Sequence, residues 1–259
     1  SSDVCSSDLP DFLGVSFSSP DLVGHAFGPR SQEVRDMYAN LDRAVGGLLA
    51  DLDRTVGAGH YVLALSADHG VTDIPEQARR AGRDAGRIDT AALLTAGDTR
   101  AAADLGQGKY LSRIVTNDIY FEPGMYERVK ARPATLKAMV ADMARQPGIR
   151  RIFTPDELAG GATAADAELR AAALSYVPGR SGDLVVSVRP GWMVSSAGTT
   201  HGSATPDDQR VPVVLFGSGI TPGRYEGPAS PADVAPTLAS VAGVALPRAE
   251  GRPLKDALR

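Results

Sequence analysis

The fold class is decided by the stretch YVLALSADHG, residues 61–70. Its first six residues form a continuous apolar run after Gly57 and Gly59, which predicts a short buried strand over 61–66. The strand ends at Asp68 and His69, two polar side chains of the kind that bind metals. In open α/β sheets, ligands bind where strands end at their carboxyl ends, so this stretch predicts both a sheet and a site.

The residues before this stretch predict a helix and an earlier strand. Apolar residues recur at three- and four-residue spacing over 31–56, which indicates an amphipathic helix, and Ser31 is a suitable N-cap. A second apolar run covers 12–17 and stops at Pro20. Two nearly continuous apolar strands joined by a crossover helix favour a parallel sheet.

The middle of the chain differs from both ends. Residues 79–108 are rich in Ala, Gly, Arg and Asp with weak periodicity, and short helix and strand patterns follow up to residue 174. Apolar strands return at 184–188 and 211–216, and Ser230 opens a final helix with proline after it and Asp233 at the third helical position.

The predicted fold class is α/β. We expect a doubly wound, mostly parallel sheet with an inserted α+β subdomain. The predicted core is formed by residues 10–78 and 175–259, and the predicted insertion is residues 79–174.

The first nine residues do not fit this pattern. Residues 1–9 half-repeat themselves, lack an initial methionine and carry neither a basic segment nor an apolar one. We interpret them as a foreign or assembly-derived segment and leave them out of the fold prediction.

Composition excludes several classes of protein. Hydrophobic residues make up 43% of the 259 residues and charged residues 22%, so long disordered, collagen-like and fibrous chains are excluded. The net charge of −4 comes without a basic stripe, which argues against a nucleic-acid-binding surface. The apolar runs are shorter than the roughly 20 residues that span a bilayer, so we expect no transmembrane segment. Cys5 is the single cysteine, so an internal disulfide is excluded.

Three clusters of metal-binding residue types lie in the segments between the predicted strands. Asp21 and His25 are four residues apart and would share one side of a helical turn. Asp68 and His69 end the decisive stretch, and His201 lies in a polar loop before the strand predicted at 211–216. Carboxylate and imidazole ligands suit zinc, and five ligands exceed one tetrahedral catalytic site. The set therefore points to two metal ions, which suit in-line displacement at phosphorus.

Each cluster also has a simpler structural interpretation. Asp21 and His25 could be a surface pair, the Asp68–His69 segment could be a strand-ending turn, and His201 could be an ordinary loop histidine. Their combination favours the metal interpretation. His60 follows two glycines without an acidic neighbour and is interpreted as structural.

From about Asp11 onward, the chain resembles the alkaline phosphatase superfamily. The motifs that carry the resemblance are SSPDLVGH at 18–25, SADHGV at 66–71, THGS at 200–203, DQRVPVVLFG at 208–217 and SPADVAPTL at 230–238. Their order resembles the zinc-dependent bacterial alkaline phosphatases, a branch close to the nucleotide pyrophosphatase/phosphodiesterases.

The resemblance implies a residue-by-residue assignment. Asp21, His25 and His201 match the ligands of one zinc ion, and Asp68 and His69 match ligands of a second. It also implies hydrolysis of small-molecule phosphate esters, most simply monoesters, through a covalent phospho-enzyme. The family's nucleophile would lie upstream of the first match, so we assign no catalytic nucleophile to this chain and expect this chain alone to be inactive.

Several alternatives remain open at this stage. A phosphodiesterase or nucleotide pyrophosphatase could use the same metal site, whereas a sulfatase is disfavoured because that branch resembles a different ligand set with calcium. A non-catalytic metal-binding protein is the alternative from another class. Manganese could replace zinc, since ligand type does not separate them. The resemblance implies a periplasmic or secreted protein, and the oligomeric state is not indicated.

Overall fold

The computed structural model describes residues 10–259, and the predicted foreign segment 1–9 lies outside the described residues. Ten α-helices and eight strands are described. In chain order they are α1 Ser19–Phe27, α2 Gln32–Leu52, β1 Val62–Ser66, α3 Pro75–Arg80, β2 Gly86–Arg87, α4 Thr90–Leu105, β3 Leu111–Val115, β4 Asp118–Phe121, α5 Met125–Lys130, α6 Pro133–Ala144, β5 Ile149–Phe153, α7 Pro155–Ala159, α8 Ala167–Ser175, β6 Leu184–Val188, β7 Trp192–Met193, α9 Pro206–Gln209, β8 Val213–Gly217 and α10 Val234–Val241.

The chain divides into two compact units. The first takes in Gln32–Asp68 and Val211–Arg259 together with the described residues up to Val23. The second takes in Gly24–Ser31 and His69–Arg210. The predicted insertion, residues 79–174, lies within the second unit, and the predicted domain boundaries stay a prediction.

The first unit contains α2, the strands β1 and β8, and α10, which packs against β1. Helix α2 begins one residue after Ser31, as predicted, and its apolar stripe begins at the buried Val34. Strands β1 and β8 form a two-stranded sheet in which Ser66 is opposite Val213. Val214 and Phe216 on β8 are 50% and 52% exposed.

The predicted strand directions are wrong for this unit. β1 pairs antiparallel with β8, and residues 12–17 form no strand, with Phe12 86% exposed. An apolar run indicates that a strand is buried, but its periodicity is the same in parallel and antiparallel sheets.

The second unit is built around a four-stranded sheet with the order β3-β4-β6-β5, in which every neighbouring pair is antiparallel. The strand predicted at 184–188 is β6, with the predicted bounds but antiparallel neighbours. A separate two-stranded parallel sheet pairs β2 with β7. The core between the large sheet and helices α4 and α6 is fully buried; its members include Leu93, Leu111, Ile119, Met139, Met143 and Leu184.

Helix α4 was not predicted from the sequence. Its residues are largely small, and Gly97 lies where a Cβ would come within 2.5 Å of the Leu111 Cδ1 atom and 2.8 Å of the Met143 sulfur. Close packing therefore replaces the large apolar side chains that usually reveal an amphipathic helix. Asp89 caps the helix by accepting a hydrogen bond from the Ala92 amide.

The C-terminal helix begins as the sequence predicts. The Ser230 side chain accepts a hydrogen bond from the Ala232 amide, and the Asp233 carboxylate accepts one from the Ser230 amide at 2.8 Å. This reciprocal capping box opens a short 3-10 turn, Pro231–Asp233, that leads into α10. Within residues 10–259, the helices are all too short or too polar to cross a bilayer.

We expect Met139→Ala to lower the free energy of unfolding by about 2–5 kcal/mol, because it leaves a cavity in a fully buried site. Unfolding in urea, followed by the fluorescence of the single tryptophan Trp192 that packs against this core, measures the change. The exposed Lys137→Ala on the same helix is the control and should change stability by less than about 0.5 kcal/mol. Equal unfolding midpoints for both variants would contradict this description of the core.

Candidate metal centre

The histidine of α1 is held by paired hydrogen bonds. The Thr199 amide donates to the His25 carbonyl at 3.0 Å, and His25 Nδ1–H donates to the Thr199 carbonyl at 2.7 Å. The second bond sets the tautomer in which Nε2 carries the lone pair that a metal requires. Ligating histidines characteristically donate their other ring N–H to a carbonyl or carboxylate in this way.

His201 lies in the same loop, two residues after Thr199. Its ring centroid is 5.1 Å from that of His25 and 3.3 Å from that of His69, with which it stacks almost in parallel. His69 Nδ1–H donates to the Gly70 carbonyl at 2.8 Å, so this ring also has its tautomer set by the backbone. Three of the four histidines in the sequence therefore share one region, and His60, interpreted as structural, is exposed.

Asp21 completes a group of three candidate ligands. Asp21 and His25 are one turn apart on α1, and one ligand atom from each of Asp21, His25 and His201 lies within 4.8 Å of the other two. All three side chains are half-buried. One carboxylate and two imidazoles are a donor set that suits zinc and leaves a coordination position for a further ligand. The residues therefore fit the metal that the sequence predicts.

Asp68 and His69 follow β1 directly. Asp68 is exposed and His69 is half-buried with its ring against His201. These two residues bring two donors, one short of a three-ligand cluster, so their assignment to a second metal ion stays a prediction.

Arg87 supports the loop that holds His25, and sequence reasoning missed it. Its guanidinium donates to the carbonyls of Ser195 and Gly198 and pairs with both carboxylate oxygens of Glu76 at 2.8 Å. Gly198 has a φ of +56°, and a Cβ there would lie 2.3 Å from the His25 carbonyl oxygen. Only glycine allows this approach of the loop to α1.

A second charged group lies after the His69 segment. Asp73 accepts hydrogen bonds from Arg30 and Arg83. Burial acts to raise the pKa of the Asp73 carboxyl, but the hydrogen bonds and charges of Arg83 and Arg30 outweigh it and hold this pKa below its ordinary value. The ionised carboxylate therefore ties the segment after α1 to the segment after β1.

The family is decided by the match of a sequence profile. The profile of the type I phosphodiesterase / nucleotide pyrophosphatase family matches residues 2–210. The chain belongs to this family. The matched region contains all the predicted ligands, those of α1, of the segment after β1 and of the His201 loop.

Similar bacterial proteins include two that carry the name alkaline phosphatase and one that carries another name. Alkaline phosphatase PhoV of Synechococcus elongatus is 31% identical, over 96% of this chain and 45% of its own length. Alkaline phosphatase PafA of Elizabethkingia meningoseptica is 29% identical, over 97% of this chain and 46% of its own length. A Myroides odoratus protein named calcium-transporting ATPase is 30% identical, over 96% of this chain and 46% of its own length. This phosphodiesterase-family chain thus spans just under half the length of each relative.

The predicted fold class is confirmed by a solved structure. The crystal structure of wild-type alkaline phosphatase PafA superposes with a TM-score of 0.80 and 26% identity, over 93% of this chain and 46% of that one. The α/β fold class and the resemblance to the alkaline phosphatase superfamily are therefore confirmed.

We expect Asp73→Asn to destabilise the protein by about 1 kcal/mol at pH 7, a modest value because Arg30 is 74% exposed. The pKa of Asp73 is lowered in the folded state, so its stabilising effect is fully present above the unfolded value of 3.8 and is lost as the pH falls from there through the lower folded value. Urea unfolding from pH 7 to pH 2 should show the difference between the two proteins shrinking only below about pH 3.8 and continuing to shrink as the pH falls further. The exposed Asp42→Asn controls for the change in net charge, and a pH-independent difference would contradict the assignment.

Proposed function

We propose that this protein is a metal-dependent hydrolase of phosphate esters, with Asp21, His25 and His201 binding one zinc ion. The observation that carries the proposal is the approach of these three ligand atoms to within 4.8 Å of one another. The family profile and the alkaline phosphatase names of two relatives support the reaction class.

The chain's own residues prepare this centre in defined ways. The Thr199 carbonyl accepts His25 Nδ1–H and the Gly70 carbonyl accepts His69 Nδ1–H, so the lone pair of each ring lies on Nε2. When bound, zinc acts as a Lewis acid that stabilises negative charge on phosphate oxygens. Asp68 and His69 are proposed as ligands of a second ion, and we nominate no nucleophile within residues 10–259.

Monoesters are the first proposed substrates, since the relatives PhoV and PafA are named alkaline phosphatases. Phosphodiesters and nucleotide pyrophosphates are the second candidate, because the family description includes them. The periplasmic or secreted location and the lack of a nucleic-acid-binding surface stay predictions from the resemblance and from the net charge of −4.

We expect His201→Ala to weaken zinc binding by tenfold or more, because one of three protein ligands is removed. Isothermal titration of the metal-free chain with zinc measures the affinity. His60→Ala is the matched control, since His60 is exposed and lies outside the group of ligands. Equal losses in the two variants would overturn the ligand assignment.

We expect hydrolysis of para-nitrophenyl phosphate to exceed that of bis(para-nitrophenyl) phosphate, and chelation by EDTA to abolish both, if the monoesterase proposal is correct. The natural gene product and the 259-residue chain should be assayed separately. A dominant diester rate would favour the phosphodiesterase candidate. Zinc binding without hydrolysis by the natural gene product would favour the non-catalytic alternative.

A further inference from the structure

A buried carboxylate lies behind the candidate metal centre. Asp208 lies in the short helix α9 and is 4% exposed, although it belongs to none of the predicted ligand clusters. Its partners are neutral. Its Oδ2 accepts the Ser203 amide at 2.9 Å and the Ser203 hydroxyl at 2.6 Å, and its Oδ1 accepts the Thr72 hydroxyl at 3.0 Å. Burying a charge in this way is costly unless several donors satisfy it.

Asp208 is connected to all three histidines through short segments of chain. Ser203 is two residues after His201, so the two hydrogen bonds to Ser203 hold the end of that loop. The Asp208 main-chain carbonyl accepts the amide of Gly70 at 2.6 Å, the residue directly after His69.

The third connection runs through Thr72 and Thr199. The Thr72 hydroxyl donates to Asp208, and the Thr72 carbonyl accepts the hydroxyl of Thr199. Thr199 in turn makes the paired hydrogen bonds with His25. Thr72 and Thr199 are both 3% exposed, so water does not readily replace these contacts.

Space around this network is also restricted. A Cβ on Gly70 would lie 2.1 Å from the Asp207 carbonyl oxygen, which shows how closely the segment after β1 approaches α9. Asn117 donates to the Gly202 carbonyl at 2.8 Å, in the residue directly after His201. The loop is therefore fixed at Thr199, Gly202 and Ser203, on both sides of His201.

From this geometry we propose that Asp208 is a positioning residue: its buried carboxylate, through Ser203 and the Thr72–Thr199 pair, sets the separation of His201 and His25 for metal binding, and its main-chain carbonyl holds the segment of His69 through Gly70. The inference rests on the proposed zinc centre and adds the group that orders it. Asp208 itself touches no metal. Residues that orient ligands from behind typically change metal affinity by about 10- to 100-fold when they are removed.

The test uses the metal-free 259-residue chain titrated with cobalt(II), whose visible absorption reports coordination geometry and whose intensity reports occupancy. We expect Asp208→Ala to lower cobalt and zinc affinity by tenfold or more and to alter the cobalt spectrum. Asp207→Ala, at the exposed neighbouring position, is the matched control and should change affinity by less than twofold.

A second pair of variants separates positioning from general stability. Thr72→Val keeps the side-chain shape but removes the hydroxyl that donates to Asp208, whereas Thr72→Ser keeps the hydroxyl and loses a methyl group. We expect Thr72→Val to weaken metal binding several-fold with an altered cobalt spectrum. Thr72→Ser should retain wild-type affinity and spectrum, even if its melting temperature falls by as much as that of Thr72→Val.

The outcomes distinguish the two proposals. If the wild-type chain binds cobalt and both Asp208→Ala and Thr72→Val bind it with wild-type affinity and spectrum, the positioning role is overturned and the zinc centre stands. If the wild-type chain binds neither metal, the zinc centre fails and the positioning role fails with it. If Asp208→Ala does not fold, the Thr72 pair decides: equal affinity in Thr72→Val and Thr72→Ser overturns the inference.

Discussion

The candidate metal centre depends on the pair of hydrogen bonds that joins His25 to Thr199, two residues separated by 174 positions in the chain. One bond orients the imidazole and the other fixes the backbone of the helix that carries Asp21. The loop side of the pair is prepared by Arg87, which holds two loop carbonyls, and by Gly198, which leaves room for the His25 carbonyl. This pair therefore holds α1 against the loop that carries His201.

Much of the secondary structure could be predicted from the sequence where periodicity is strong. Helix α2 and strand β6 agree with their predicted positions, because an amphipathic stripe and an uninterrupted apolar run are direct consequences of burial. Helix α4 could not be predicted, because small residues pack closely there and leave no stripe. The direction of β1 against β8 was missed because it depends on the path of the chain between them.

In the candidate site, the ligands could be predicted from residue type and spacing, whereas the supporting residues depend on packing. Asp21 and His25 could be predicted as a pair because the helical repeat places residues four apart on one side. Asp208, Thr72 and Arg87 could not, since a carboxylate, a hydroxyl and a guanidinium are most often exposed and nothing in their spacing indicates burial. The supporting network becomes visible only when the hydrogen bonds are known. Candidate ligands are therefore easier to predict from a sequence than the residues that hydrogen-bond around them.

The exposed apolar face of β8 has a consequence for how the chain behaves in solution. Val214 and Phe216 lie half-exposed on a two-stranded sheet and form an apolar surface that faces solvent. Salts that strengthen the hydrophobic effect, such as ammonium sulfate, therefore favour the removal of these side chains from water.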